Sequence, residues 1–166
     1  ASNKGTVVNA PVDNSTPVRF DLPSALIGLS KSAGTPIVVG DGKFKIPYTI
    51  SVTNLGTSDL HKIQVKDDLG LTFGAKAEIV GKPLVTADAG LVVNENYTGQ
   101  GLLTDLLVDS LSSLPKGVTR SINLAVIVSL YNPDSVTKFY NIAIGTGLTQ
   151  GGVATADTST TGDNVD

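Results

Sequence analysis

Residues 43–53 read KFKIPYTISVT, and this stretch decides the fold. Its large apolar residues alternate with polar or small ones, which is the two-residue period of a strand with one buried face. The inward set is Phe44, Ile46, Tyr48, Ile50 and Val52. Pro47 interrupts the run, and proline has no amide hydrogen for a sheet ladder, so it predicts an edge position or a bulge.

Similar alternation returns about every ten residues along the chain. The clearest further strands are SALIGLSKS (24–32), HKIQVKDDL (61–69) and SINLAVIVSL (121–130). Weaker strand signals fall at 76–81 and 84–93, and strands at 137–148 and about 152–157 close the set. The segment 101–114, GLLTDLLVDSLSSL, allows a short helix at 102–111 or strands joined by a turn, and we favour strand. Many short strands between Gly, Pro and Asn turns predict an all-β sandwich with Greek-key connections.

The two ends of the chain differ in composition from the middle. Residues 1–23 are polar and proline-spaced, which predicts an extended linker that allows an edge strand at 18–20. Residues 158–166 are polar and acidic, which predicts a second linker. We therefore expect one sandwich domain at 24–157 between two linkers, as in a unit cut from a tandem array.

Composition narrows the class of protein. The 166 residues carry a net charge of -3, so no basic stripe is available for nucleic acid or anionic lipid. The absence of Cys excludes disulfides and thiolate metal sites and is typical of exported bacterial proteins. The absence of Met indicates a fragment of a larger protein. No signal peptide or long apolar span appears, so we expect no membrane insertion.

Three polar residues stand where the alternation predicts core: Lys31, Asp67 and Asn141. They continue the inward-facing runs Ile27-Leu29-Lys31, Ile63-Val65-Asp67 and Phe139-Asn141-Ala143. Buried charges and amides are costly unless they are paired. One interpretation is a Lys31–Asp67 salt bridge with Asn141 bonded to backbone. Another is an autocatalytic isopeptide bond between Lys31 and Asn141, formed with loss of ammonia and with Asp67 as acid and base.

The isopeptide interpretation makes predictions about protonation. Burial is expected to lower the pKa of Lys31, which leaves a neutral and nucleophilic amine. It is expected to raise the pKa of Asp67, so that a protonated carboxyl group polarises the Asn141 carbonyl. Asp68 is the alternative acid, although strand alternation directs it outward. The bond would join the first and last strands of the sandwich.

The acidic tail suggests a metal site. Asp157, Asp163, Asn164 and Asp166 place hard oxygen ligands at short spacing in a Gly-containing loop, which suits Ca²⁺. The alternative is a solvated linker, since no twelve-residue EF-hand loop is present. No other cofactor is expected.

Three motifs resemble one family, the conserved tandem repeat domain of very large bacterial surface proteins and adhesins. YTISVTNLGTSDLHKIQVKDDL (48–69) is similar to its strand, Thr-Asn-x-Gly turn and Asp-terminated strand. FYNIAIGTG (139–147) resembles its closing strand, and LSKS (29–32) resembles its opening strand with a recurring Lys. The likeness spans about residues 25–157. At 98–115 the chain is Leu-rich where the family usually has a Trp-containing strand.

The resemblance implies an immunoglobulin-like sandwich, strung in tandem and exported to the bacterial cell surface, as in the giant adhesins of gliding bacteria. We expect a structural stalk or spacer, monomeric as an isolated unit, with neighbouring repeats as partners. The alternative is a module that binds glycan or protein, for which Tyr97, Tyr131 and Tyr140 are the candidate exposed aromatics. We expect no enzyme, because the single His61 accompanies no Gly-x-Ser-x-Gly elbow.

Overall fold

The computed structural model describes residues 24–133 and 138–161, which form two sheets and almost no helix. The larger sheet contains β1 (Ile27–Ala33), β2 (Ile37–Gly40), β3 (Lys43–Asn54), β5 (Ala77–Ile79), β6 (Leu84–Ala87), β8 (Thr119–Leu130) and β11 (Thr160–Thr161). The smaller contains β4 (Leu60–Asp67), β7 (Ser113–Leu114), β9 (Ala143–Thr149) and β10 (Ala154–Thr158). A short helix, α1 (Leu69–Phe73), and a 3₁₀ turn at Asp109–Leu111 complete the elements. The all-β class is confirmed, and the two sheets are consistent with a sandwich.

Among the described strands, all pairs but one are antiparallel. The larger sheet has the order β11-β1-β3-β8-β5, with β2 beside β3 and β6 beside β8; the smaller has the order β10-β9-β4-β7. The exception is β11, which runs parallel to β1 with Ser30 opposite Thr160 and Lys31 opposite Thr161. The sheet therefore continues to Thr161, inside the stretch that the sequence analysis assigned to a linker. Residues 1–23, with the predicted edge strand, lie outside the described residues.

Small residues let the two sheets approach closely. Gly145 and Gly147 are buried on the inner side of β9. A Cβ on Gly145 would lie 3.2 Å from the Leu29 side chain of the other sheet, and one on Gly147 would lie 2.9 Å from Ile63. The Gly-x-Gly of FYNIAIGTG is thus a packing feature, because larger side chains there would push β9 away from its neighbours.

The Thr-Asn-x-Gly turn also has a structural role. Asn54 is fully buried at the end of β3, and its amide nitrogen donates to the carbonyls of Ser58 and Leu114, both at 2.9 Å. Its Oδ1 accepts from Gly56 N at 3.0 Å. Because Leu114 belongs to the smaller sheet, this one amide ties the two sheets together at the β3–β4 turn. A Cβ on Gly56 would come within 2.4 Å of the Ser24 carbonyl.

Pro47 is not at an edge and not in a bulge of β3, so that prediction was wrong. It pairs with Ala125 of β8, and its carbonyl accepts from Gly34 N on the opposite side at 2.8 Å. In an antiparallel strand the N–H and C=O of one residue point the same way. The missing N–H of Pro47 therefore faces the connection between β1 and β2, where the ladder is already interrupted.

Three further segments differ from expectation. Residues 101–114 form neither the helix nor continuous strands but isolated bridges, the 3₁₀ turn and β7. The helix α1 follows β4 directly and was not predicted. The strand expected from 137 begins only at Ala143, so Phe139 and Asn141 precede β9 and are half-buried. These last two differences shape the candidate site.

Candidate functional site

Lys31 and Asp67 meet between the two sheets, as the alternation predicts. Lys31 lies near the end of β1 and is 4% exposed, and Asp67 ends β4 and is fully buried. The Lys31 Nζ lies 2.5 Å from the Asp67 Oδ2, and it also lies 4.8 Å from the centroid of the Tyr48 ring. The ion pair is therefore sealed from water and joins one strand of each sheet.

Asn141 reaches the same cluster from the segment before β9. Its Oδ1 accepts a hydrogen bond of 2.9 Å from the Thr72 hydroxyl on α1. Its amide lies close enough to the Asp67 carboxyl group and the Tyr48 hydroxyl to lower the pKa of each. Yet Asn141 Nδ2 and Asp67 Oδ1 are buried without a well-formed hydrogen bond. The structure thus brings all three predicted residues together and leaves two of their polar atoms unsatisfied.

Burial dominates the protonation of the pair. It lowers the pKa of Lys31 against the attraction of Asp67, and it raises the pKa of Asp67 against the attraction of Lys31 and the Asn141 amide. Both directions favour the neutral forms and agree with the sequence expectation. Burial also raises the pKa of Tyr48 to about 12, with a further rise from the Asp67 charge. Burial therefore disfavours the charged form of both the Lys31 amine and the Asp67 carboxyl group.

Other polar groups frame Asp67. Asp68 is half-buried and caps α1, since its Oδ1 accepts from Leu71 N at 2.9 Å. The Tyr97 hydroxyl donates to the Asp67 backbone carbonyl at 3.2 Å, and its ring is fully buried. Tyr97 is thus part of the core and not an exposed glycan platform, which corrects the expectation. Tyr131 and Tyr140 are exposed, at 65% and 75%.

Thr72, Tyr48 and Tyr97 are members of the cluster that the sequence did not predict. Alternation had placed Tyr48 in the core but gave it no role. Thr72 depends on α1, for which the available signal was Asp68 as a helix N-cap. That signal lacked the Glu or Gln three residues later that usually strengthens it.

The predicted calcium ligands are only partly described. Both carboxylate oxygens of Asp157 accept hydrogen bonds from backbone amides: Oδ2 from Leu29 N at 2.6 Å and Oδ1 from Thr158 N at 2.8 Å. Asp163, Asn164 and Asp166 lie outside the described residues. Within 24–133 and 138–161, no group of three or more His, Cys, Asp or Glu side chains is placed to hold a metal ion. Calcium binding stays a prediction.

An apolar groove opens beside the cluster. Its volume is about 470 Å³, and its lining includes Tyr48, Phe44, Leu130, Phe139 and Tyr140. Lys138 is the charged residue on its wall. His61 is exposed on β4.

Comparisons with protein-family models, with curated proteins and with solved structures return no match. No helix in the described part of the chain is long and apolar enough to cross a membrane.

Proposed function

We propose that this chain is a stalk or spacer module of a large bacterial surface adhesin, stabilised by an isopeptide bond between Lys31 and Asn141. The observation that carries the proposal is the buried Lys31–Asp67 pair, 2.5 Å apart, with the Asn141 amide beside it. Residues from both sheets meet there, so one covalent bond would fasten the sandwich internally.

The energetics of the unreacted cluster support this proposal. A buried ion pair often stabilises a fold no more than apolar residues of the same size would. A buried polar atom without a partner costs about 1–3 kcal/mol, and the cluster contains two of them, Asp67 Oδ1 and Asn141 Nδ2. Amide formation removes the charge on Lys31 and expels Nδ2 as ammonia. Reaction therefore removes the buried charge of Lys31 and the unsatisfied Asn141 Nδ2.

Three features favour a tandem, extracellular module. The described strands form two sheets, and the motif resemblance implies that their connections are those of an immunoglobulin-like Greek key. Because β1 and β11 are parallel, the chain enters the domain along β1 at one end and runs along β11 towards the opposite end. This arrangement suits units joined in a line. The chain has no Cys, which suits export to the bacterial surface. Neighbouring repeats of the same protein are the proposed partners.

Intact-mass spectrometry tests the proposal directly. The wild-type protein should weigh less than its sequence by one ammonia, and fragmentation should find Lys31 and Asn141 in one branched peptide. The Asn141→Ala variant should have its full calculated mass. Asn123→Ala, which changes an exposed asparagine on β8, should keep the deficit.

Two results would overturn the crosslink. A wild-type protein at its calculated mass would leave only the salt bridge between Lys31 and Asp67. A deficit of one water would show that Lys31 had condensed with a carboxyl group instead, for which Asp67 is the nearest candidate.

A ligand-binding module is the second candidate, favoured by the apolar groove and its exposed Tyr140. Aromatic surfaces near a polar group are typical of sites for small ligands and sugars. Binding to a glycan array that Tyr140→Ala abolishes, with the fold unchanged, would support this function. Binding that survives the substitution would exclude the groove as the site.

A further inference from the structure

The Asn141 carbonyl oxygen already has a hydrogen-bond donor, and that donor is not Asp67. The Thr72 hydroxyl lies 2.9 Å from Asn141 Oδ1. Its other acceptor within reach, the Asp68 backbone carbonyl, is farther away at 3.2 Å. A hydroxyl has one hydrogen to donate. The shorter contact assigns that hydrogen to Asn141.

The position of Thr72 is fixed by its helix. Asp68 caps α1. The neighbouring Phe73 is fully buried and packs against Phe139 in a tilted arrangement, with ring centroids 4.8 Å apart. Phe73 is adjacent to Thr72 in the chain, and Phe139 lies two residues before Asn141, so the two contacts are close together. Two adjacent contacts, one apolar and one polar, therefore hold α1 against the segment that carries Asn141. The donor is preorganised before any reaction begins.

We propose that Thr72 is a catalytic residue of the crosslinking reaction, whose hydroxyl polarises the Asn141 carbonyl and stabilises the negative charge that develops on Oδ1. The inference rests on the proposed function, since it concerns the same reaction. It assigns to Thr72 the role that the sequence analysis gave to a protonated Asp67, namely polarising the Asn141 carbonyl. Asp67 is left free to move protons between Nζ and Nδ2.

The atoms balance under this assignment. The Lys31 Nζ begins with three hydrogens, paired to the Asp67 carboxylate. The bond from Nζ to Asn141 Cγ forms, the bond from Cγ to Nδ2 breaks, and Nδ2 leaves as ammonia. One Nζ hydrogen stays on the new amide, one passes through Asp67 to Nδ2, and one stays on Asp67, which ends neutral. Thr72 gains and loses no proton, so its contribution is the hydrogen bond alone.

The expected size of the effect follows from similar sites. Removal of one preorganised donor to a developing oxyanion slows acyl transfer by about 10²–10³-fold. The site is shielded from water, as that comparison requires, because Lys31 and Asp67 are both buried. Thr72→Val keeps the shape of the side chain and removes the donor. We expect it to slow crosslinking by about 10²-fold or more.

A refolding time course tests the assignment. The full chain is isolated unfolded in urea, its uncrosslinked mass is verified, and aliquots taken after dilution are weighed. Far-ultraviolet circular dichroism on the same samples reports the rate of folding. Thr72→Val should fold at the wild-type rate and lose ammonia far more slowly. Thr146→Val, which makes the same change on the exposed face of β9, should behave as wild type.

A second pair of variants covers the case in which valine disturbs the helix. Thr72→Ser and Thr72→Ala both lack the methyl group and differ only in the hydroxyl. The serine variant should crosslink within a few-fold of wild type and the alanine variant should be as slow as valine. The pH dependence of the rate should be the same in all of them, because a hydroxyl does not titrate in this range.

The outcomes separate the two proposals. If the wild-type chain refolds and never loses ammonia, the proposed crosslink fails. If wild type loses ammonia and the valine and alanine variants do so at the same rate, the crosslink stands and the role of Thr72 is overturned. Equal slowing by serine and alanine would also overturn it, because the methyl group and not the hydroxyl would then matter.

Discussion

Asn141→Ala is the substitution that measures the crosslink most cleanly. It removes the amide that reacts and leaves the Lys31–Asp67 ion pair intact. Replacing Lys31 instead would leave Asp67 as a buried charge without its partner, and such losses cost about 3–5 kcal/mol for reasons unrelated to the crosslink. The variant should fold to the same two sheets, because Asn141 precedes β9 and takes no part in a ladder.

The magnitude follows from the loop that the bond closes. Lys31 and Asn141 are 110 residues apart in sequence. Treated as a disulfide, a loop of that length lowers the entropy of the unfolded chain enough to stabilise the fold by about 5 kcal/mol. Asn141→Ala also loses the hydrogen bond from Thr72, which adds about 1 kcal/mol to the expected loss of stability. For a domain of this size we expect the melting temperature to fall by about 10–20 °C.

The assay is urea unfolding of four proteins in a double-mutant cycle. Asn141→Ala is made in the wild-type chain and in a chain that cannot crosslink, Lys31→Met with Asp67→Leu. In the first setting the substitution should cost about 6 kcal/mol, and in the second only about 1 kcal/mol for the lost hydrogen bond. Equal costs in the two settings would refute the reasoning, because Asn141 would then act through ordinary contacts alone.

Two further predictions concern the pair and the turn. In the uncrosslinked Asn141→Ala protein, Lys31 has a folded pKa below 10.5, so its contribution to stability is present above pH 10.5 and is lost as pH falls through the folded value. Asp67 has a folded pKa above 3.8, so its contribution is present below pH 3.8 and is lost as pH rises through the folded value. The free energy of unfolding should therefore dip at intermediate pH, and a flat profile matching Lys31→Met with Asp67→Leu would contradict this. Separately, Gly56→Ala should destabilise the fold by about 1–3 kcal/mol, because its Cβ would collide with the Ser24 carbonyl. Gly151→Ala, where the Cβ would meet only Thr149 Oγ1 at 3.9 Å, is the control, and equal melting temperatures for the two variants would count against a tight turn at Gly56.

Alternation was sufficient to predict the core strands and two members of the cluster. In β4, Val65 and Asp67 are buried and Lys66 between them is exposed, because side chains in a strand alternate between faces. In β1, Leu29 and Lys31 are buried as the alternation predicts, but Ser30 between them is buried as well. Asn141 joined the cluster for a different reason. It precedes its strand, and α1 holds it there through the hydrogen bond from Thr72 to Asn141 and the contact of Phe73 with Phe139.

What the sequence did not reveal depends on contacts between distant segments. Pro47 looked like an edge residue because nothing local shows that the neighbouring strands break opposite it. Tyr97 was a candidate exposed aromatic, yet its ring is buried and its hydroxyl donates to the Asp67 backbone carbonyl. The five-residue α1 is too short for a helical period to appear in the sequence. Its position beneath Asn141 is set by tertiary packing.

The parallel pairing of β1 with β11 determines how the domain meets mechanical tension. A pull on the two chain ends drags these strands past each other along their length, so the contacts of Thr160 and Thr161 and the Asp157–Leu29 bond must yield together. If Lys31 is joined to Asn141, force that enters through β1 passes at residue 31 through the isopeptide bond to residue 141. Residues 32–140 would then feel no strain however hard the chain is stretched. The stretches outside the bond, 27–30 and 142–161, would carry the load and would be the parts that lengthen.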